Sequence, residues 1–173
     1  PFWAAQALSQ PRRAFTSTEI LSFVKYLPLV AVPGTKCEYT NTNYVIMGVI
    51  IETLTGKPLA QVIADRVTKP LSMTSTFLDM EGKDIPGLAH GYIEMDTTAF
   101  TTGIPSAFNA LASVYLTTVK GKADASYTYH PSNPGAAGAI VSSSSDMARF
   151  SRALMDGLLI SSNALAEMRK FEQ

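Results

Sequence analysis

Apolar positions recur at helical spacing in three stretches near the start of the chain and two near its end. Between them lies a middle with little pattern. Thr16-Ser17-Thr18-Glu19 has the form of a capping box, in which threonine and the glutamate three residues on satisfy each other's backbone N–H groups. Ile20, Leu21, Phe23, Val24 and Leu27 follow it, and Pro28 is the expected stop of this first helix. The second helix is capped by Asn41 or Thr42, runs to about Leu54 and ends at Gly56. Its Tyr44, Val45, Ile46, Met47, Val49, Ile50, Ile51 and Leu54 cover most of the circumference, which predicts a central, buried helix. Pro58 suits the first helical position of a third helix, carried by Leu59, Val62, Ile63 and Val67 to Lys69-Pro70. Near the end, Ser143-Ser144-Ser145-Asp146 opens a helix with Met147, Phe150 and Leu154 on one face and Gly157 as its stop. Ser161 or Ser162 opens a last helix with Leu165, Met168 and Phe171. The serine run 142–145 reads as a helix cap.

The middle, residues 72–134, resists such a reading. Residues 74–78 and 90–95 look like short extended pieces between turn residues. Residues 108–119 stay open between helix and strand, because Ala and Leu favour one and Val, Tyr and Thr the other. The expected fold class is therefore mainly α, with a few short extended segments.

Composition narrows the function classes. At 173 residues the chain is about one domain and can bury a core. Charged residues are only 16% of it, against ~25% in a typical soluble domain, while 46% is hydrophobic. Either the fold is unusually well buried or part of its surface is covered by something else. Fourteen basic and fourteen acidic residues balance, with no basic stripe for nucleic acid and no polybasic run for a membrane surface. The longest apolar run, residues 44–51, is too short to span a bilayer. The single cysteine excludes an internal disulfide framework and a cysteine-based zinc site. With no visible signal peptide and a first residue Pro1 rather than Met, the chain reads as a piece of something longer.

Candidate chemistry concentrates at Pro33-Gly34-Thr35-Lys36-Cys37-Glu38-Tyr39-Thr40-Asn41. A Tyr-x-Asn at a turn-to-helix junction aims a phenol and an amide at one place. The phenol can carry a proton, and the amide can hold a substrate amide by donor and acceptor together. Other candidates weigh less. Ser22-Phe23-Val24-Lys25 matches Ser-x-x-Lys literally but lies mid-helix, where a solvent-facing polar pair explains it. His90 and His130 have no acidic ligand spacing between them, so no metal site is expected. Cys37 shares a side with Tyr39 if that segment is extended, and is expected to be a packed structural thiol. The stretch 97–134, with Tyr115, Tyr127 and Tyr129, is a candidate lining of the substrate entrance.

The order of motifs is more specific than any one of them. Pro33-Gly34-Thr35, Tyr39-Thr40-Asn41, Asn43-Tyr44 on an apolar helix and Thr55-Gly56-Lys57-Pro58 come in turn. Lys69-Pro70-Leu71-Ser72-Met73-Thr74-Ser75-Thr76, Ala89-His90-Gly91-Tyr92 and the segment from Ala137 to Ala148 follow. This run closely resembles the penicillin-recognising serine hydrolases, that is class C-type β-lactamases, DD-peptidases and β-lactamase-fold esterases. The resemblance spans residues 16–94 and 134–170. Ser72 stands where the family has glycine, and Thr40 where it prefers Ser or Ala. The resemblance implies attack on a carbonyl by a serine of a Ser-x-x-Lys helix turn, with the lysine accepting its proton. A Lys-Thr-Gly or His-x-Gly strand closes such sites beside the oxyanion hole. By matching position, Tyr39 is the proton-relay residue and Asn41 the substrate-positioning residue. Neither the upstream nucleophile nor the closing strand occurs in this sequence.

The resemblance thus implies that residues 1–173 are a single helical, inserted domain of a larger two-part hydrolase, inactive alone and without a cofactor. Its expected partners are the remaining α/β half and a β-lactam, D-Ala-D-Ala-type peptide or ester substrate, and its apolar surface invites self-association. A cell-wall role would put it in the periplasm or outside the cell, an esterase role in the cytoplasm. The alternative reading is a non-catalytic module that uses the Tyr39–Asn41 cleft to bind peptidoglycan-like peptides or a protein partner.

Overall fold

A computed structural model describes residues 10, 12–94, 117–119, 122–124, 130–132 and 134–170. The elements, in chain order, begin with helices α1 (Ser17–Ser22), α2 (Asn41–Thr55) and α3 (Leu59–Ile63), the last continuing as a π turn over Ala64–Thr68. Strands β1 (Phe77–Leu78), β2 (Tyr92–Glu94), β3 (Thr117–Val119) and β4 (Lys122–Asp124) follow. A 3₁₀ turn at Gly135–Ala137, strand β5 (Ile140–Val141) and helices α4 (Ser144–Met155) and α5 (Ser162–Met168) complete them. Helix therefore makes up most of the regular structure among the described residues. The extended pieces form two small antiparallel sheets, β1–β5 and β2–β4–β3. In the first, Phe77 faces Val141 and Leu78 faces Ile140.

Local chemistry sets the helix ends. At α1 both halves of the capping box form: Thr16 Oγ1 accepts from Glu19 N–H and Glu19 Oε2 accepts from Thr16 N–H. The bond from the Thr16 backbone, then the Thr16 hydroxyl, with Arg13 adding its charge, holds the Glu19 carboxyl below its usual pKa. The helix ends at Ser22, earlier than the expected Leu27. Val24 and Leu27 bond three residues back, to Leu21 and Val24 carbonyls, so the last turn is tightened. Pro28 keeps Leu27, the residue before it, out of the helical region, so these turns do not continue as helix.

Thr40, rather than Asn41 or Thr42, caps α2 by accepting from Thr42 N–H, and Gly56 ends it in the left-handed conformation at φ 64°. Pro58 lies just outside α3 and offers no side-chain cap; Glu52 Oε1 takes that place by accepting from Leu59 N–H at 2.9 Å. Ser143 and Ser161 cap α4 and α5, accepting from Asp146 N–H and Ala164 N–H. Residues 117–119 of the ambiguous stretch are strand. Residues 108–116, most of the 97–134 stretch with Tyr115, Tyr127 and Tyr129, and Phe171 lie outside the described residues.

Helix α2 departs from its expected burial. Only Val45 and Gly48 are buried on it, while Tyr44, Met47, Ile50 and Leu54 stand on the surface. Apolar residues all round a helix tell that it tolerates contact on every side. Among the described residues, α2 packs against the 3₁₀ turn, α1 and α3. At Gly48 the approach is so close that a Cβ would lie 2.7 Å from the Ala136 Cβ and 3.3 Å from Leu59 Cδ2. Gly48→Ala is accordingly expected to lower stability by about 1–3 kcal/mol through overpacking, read as a lower denaturant midpoint at unchanged slope.

The core collects Phe15, Val45, Val62, Met73, Leu78, Ala139, Ala153 and Leu165. One buried charge pins it: Asp146, 1% exposed, accepts from Ser75 N–H at 2.8 Å and from Thr76 Oγ1 at 2.9 Å. Arg149 donates to the other oxygen of Asp146 and to the Ser72 carbonyl. Ser72 itself sits at φ 51°, the left-handed region where glycine is at ease. Ser72→Gly is expected to raise stability by about 0.5–1 kcal/mol, with released strain outweighing the added freedom of the unfolded chain, and a higher Tm checks it.

Candidate active site

The segment leading into α2 is built from short-range forces. Gly34 adopts φ 79° and closes a turn in which Thr35 N–H and Thr35 Oγ1 both donate to the Val32 carbonyl. Residues 36–40 then run without regular structure, flanked by a surface ion pair between Lys36 and Glu38 at 2.5 Å. Thr40 turns the chain into the helix at φ −149° and ψ 138°, which leaves Tyr39 just before the cap and Asn41 as the first helical residue. The two side chains meet: Tyr39 Oη donates to Asn41 Oδ1 at 2.9 Å. The Tyr44 ring packs against the Tyr39 ring, centroids 5.7 Å apart and planes tilted by 47°.

This geometry has definite chemical capacity. The phenol's bond fixes the Asn41 amide so that Oδ1 faces Tyr39 and both Nδ2 protons remain for a substrate carbonyl. The second lone pair of Oδ1 remains for a substrate N–H, and the phenol oxygen keeps its own lone pairs for a proton in transit. The pair lies at an open surface, with Tyr39 74% exposed.

The other candidates have partners or settings of their own. Ser22 ends α1 and donates to the Glu19 carbonyl at 2.6 Å, while Lys25 leaves the helix and lies over the Tyr26 ring. They are therefore not one helix turn of paired side chains. Cys37 is an exposed free thiol, not the packed one expected, because its short segment lies along the surface before α2. His130 serves as a structural clamp: its Nδ1 pairs with Ser132 Oγ at 2.8 Å and its Nε2 with the Glu81 carbonyl at 3.1 Å. The buried Ser132 Oγ also accepts from Phe15 N–H, tying the start of the described chain to this loop. His90 stacks on Tyr92, ring centroids 6.2 Å apart. Among the described residues, no three His, Cys, Asp or Glu side chains gather as a metal site. No single described helix is long and apolar enough to cross a membrane. Away from the pair, bonds from Lys69 and then Lys57 hold the half-buried Asp65 carboxyl below its usual pKa.

Two features escaped the sequence reading. Beyond its place on α2 and in the Asn43-Tyr44 motif, Tyr44 packs on Tyr39, a contact that the positions of the two tyrosines around the helix cap signal. Asp146, three residues after the capping Ser143, was read as part of a helix start and not as the anchor of the 72–76 loop.

Comparison with known proteins gives a consistent result. A family model described as Beta-lactamase matches residues 2–173. An unguisins hydrolase from Aspergillus campestris is 36% identical over 77 residues, which is 43% of this chain and 14% of that protein. A putative D-alanyl-D-alanine carboxypeptidase from Escherichia coli K12 is 34% identical over 58 residues, 34% of this chain and 13% of that one. Among solved structures, a D-amino acid amidase from Ochrobactrum anthropi SV3 complexed with D-phenylalanine superimposes with a TM-score of 0.72 at 29% identity. That match covers 90% of this chain and 41% of the amidase, so the chain spans well under half the length of this structural relative.

Proposed function

This chain belongs to the beta-lactamase family, and from that membership we propose that it is the helical part of a serine hydrolase working through an acyl-serine intermediate. The substrates that fit are β-lactams, D-alanyl-D-alanine-type peptides, D-amino acid amides and related esters. The carrying observation is the Tyr39–Asn41 contact at the start of α2, a proton carrier and an amide clamp held 2.9 Å apart. In the complete enzyme a serine hydroxyl adds to the substrate carbonyl and its proton passes through the adjacent lysine and Tyr39 to the departing nitrogen or oxygen. Asn41 holds the substrate amide across that step, and water then releases the acyl group from serine. The nucleophile, the lysine, the closing strand and the oxyanion hole belong to an α/β part outside residues 1–173.

A fluorophosphonate probe with mass spectrometry tests this reading. The chain alone is expected to take no label, and the whole gene product one label on a Ser-x-x-Lys serine upstream of Pro1. A stoichiometric adduct on Ser22 would overturn the assignment, and an upstream sequence with no such serine would favour the binding module.

The same reading explains the exposed apolar residues before the site. Tyr26, Leu27, Leu29, Val30 and Val32 are all exposed and follow one another closely, a face suited to the α/β part. Produced alone, the chain is expected to self-associate through it. Sedimentation should show mass rising with concentration, and Leu29→Lys with Val30→Lys should return the monomer.

A further inference from the structure

Tyr39 is an exposed side chain asked to keep one orientation, and a single hydrogen bond to Asn41 leaves its ring free to tilt about that bond. The geometry points to Tyr44 as the positioning residue that holds the Tyr39 phenol in place. This inference rests on the proton-relay reading of Tyr39 given above.

The argument begins with helix numbering. Thr40 is the cap of α2, so Tyr39 is the residue before the cap and Tyr44 is the fourth residue of the helix. A hydrophobic pair at those two positions forms a staple, which sets the angle at which the incoming chain meets the helix. Here the staple is aromatic, with centroids 5.7 Å apart and a 47° tilt, within the range in which ring pairs attract beyond their buried area. Asn41 and Tyr44 are three residues apart on α2 and therefore share a face. One face thus presents two contacts to the same phenol: an amide oxygen at its hydroxyl and a ring against its ring. Together they fix both the position and the plane of Tyr39. Tyr44 is about half exposed and has no hydroxyl contact with Tyr39, so its ring is what matters. Phenylalanine should replace it and an aliphatic residue should not.

The first measurement uses the whole gene product with ¹³C-labelled tyrosine rings. Wild type should show a through-space contact between the Tyr39 and Tyr44 rings. Tyr44→Phe should leave the Tyr39 ring resonances in place, and Tyr44→Leu should move them toward free-tyrosine values while circular dichroism keeps its helical content. Unmoved Tyr39 resonances in Tyr44→Leu would overturn the proposal, as would the absence of the ring-to-ring contact in wild type, which needs no variant. The second measurement is a double-mutant cycle on fluorophosphonate acylation of the whole gene product. Tyr44→Leu should slow acylation by about tenfold to a hundredfold when Tyr39 is present, the range for a misplaced group. It should have no further effect in the Tyr39→Phe background. Equal losses in both backgrounds would show a role in general stability and overturn the proposal. If Tyr39→Phe alone left acylation unchanged, the relay reading would fail; the ring measurements would then decide the staple by themselves.

Discussion

Asp146→Ala is expected to destabilise the chain by about 2–4 kcal/mol, a large part of the 5–15 kcal/mol that holds a typical domain together. The carboxylate is 1% exposed and gathers three donors from two parts of the sequence: Ser75 N–H, Thr76 Oγ1 and Arg149. Alanine would take the acceptor from the part-buried Ser75 N–H and from the buried Thr76 hydroxyl. Arg149, whose side chain is half exposed, would keep its bond to the Ser72 carbonyl and turn its freed N–H to water. The loop 72–76 feeds β1, and Thr76 is bonded to Ser142 beside β5, so the loss should spread to that strand pair. Asp146→Asn should cost less, about 1–3 kcal/mol, because one amide oxygen still serves Ser75 and Thr76 while the amide N–H groups confront Arg149. Denaturant midpoints for the three proteins, followed by circular dichroism, should fall in the order Asp, Asn, Ala. An alanine variant within about 1 kcal/mol of wild type would show that the carboxylate is not the anchor of this loop.

Several helix ends were legible in the sequence because they depend on neighbours within four residues, while the Thr40 cap of α2, the end of α1 at Ser22 and the place of Pro58 outside α3 were not. Thr16 with Glu19, Gly56, Ser143 and Ser161 all act where their residue types predict. The pairing of Tyr39 with Asn41 was legible for the same reason, since both belong to one helix start. What stayed hidden depends on distant partners or on competition between them. Whether Leu54 is buried depends on what packs against α2, and periodicity reports only that the position is apolar. That Asp146 would reach a loop some seventy residues earlier left no local trace. Ser72 is an instructive intermediate: its place in a family glycine position hinted at unusual backbone, and its positive φ supplies the physical reason. The π turn after α3 had no sequence signal, because it closes the helix and too few apolar residues follow it for a change of phase to show.

Tyr39→Phe is expected to slow acylation and deacylation in the whole gene product by about 10²–10⁴-fold, the range for losing a positioned proton carrier. Stability should change by no more than about 0.5 kcal/mol, because the hydroxyl removed belongs to a surface side chain. The substitution keeps the ring, so the packing on Tyr44 and the start of α2 stay intact. It removes the donor to Asn41 Oδ1, and that oxygen sits at an exposed position where water can replace the phenol. A clean separation of rate from folding follows, which few substitutions in a buried site permit. Asn41→Ala should behave differently, raising KM for amide substrates more than it lowers kcat, since in the proposed reading it holds substrate before and during the reaction. Stopped-flow measurements with a chromogenic penicillin analogue and with a D-amino acid anilide would give both constants. If Tyr39→Phe and Asn41→Ala altered only ligand affinity, with no turnover in wild type, the pair would be a recognition element. A loss of turnover confined to Tyr39→Phe would identify the phenol as the group that moves the proton and the amide as the group that holds the substrate still.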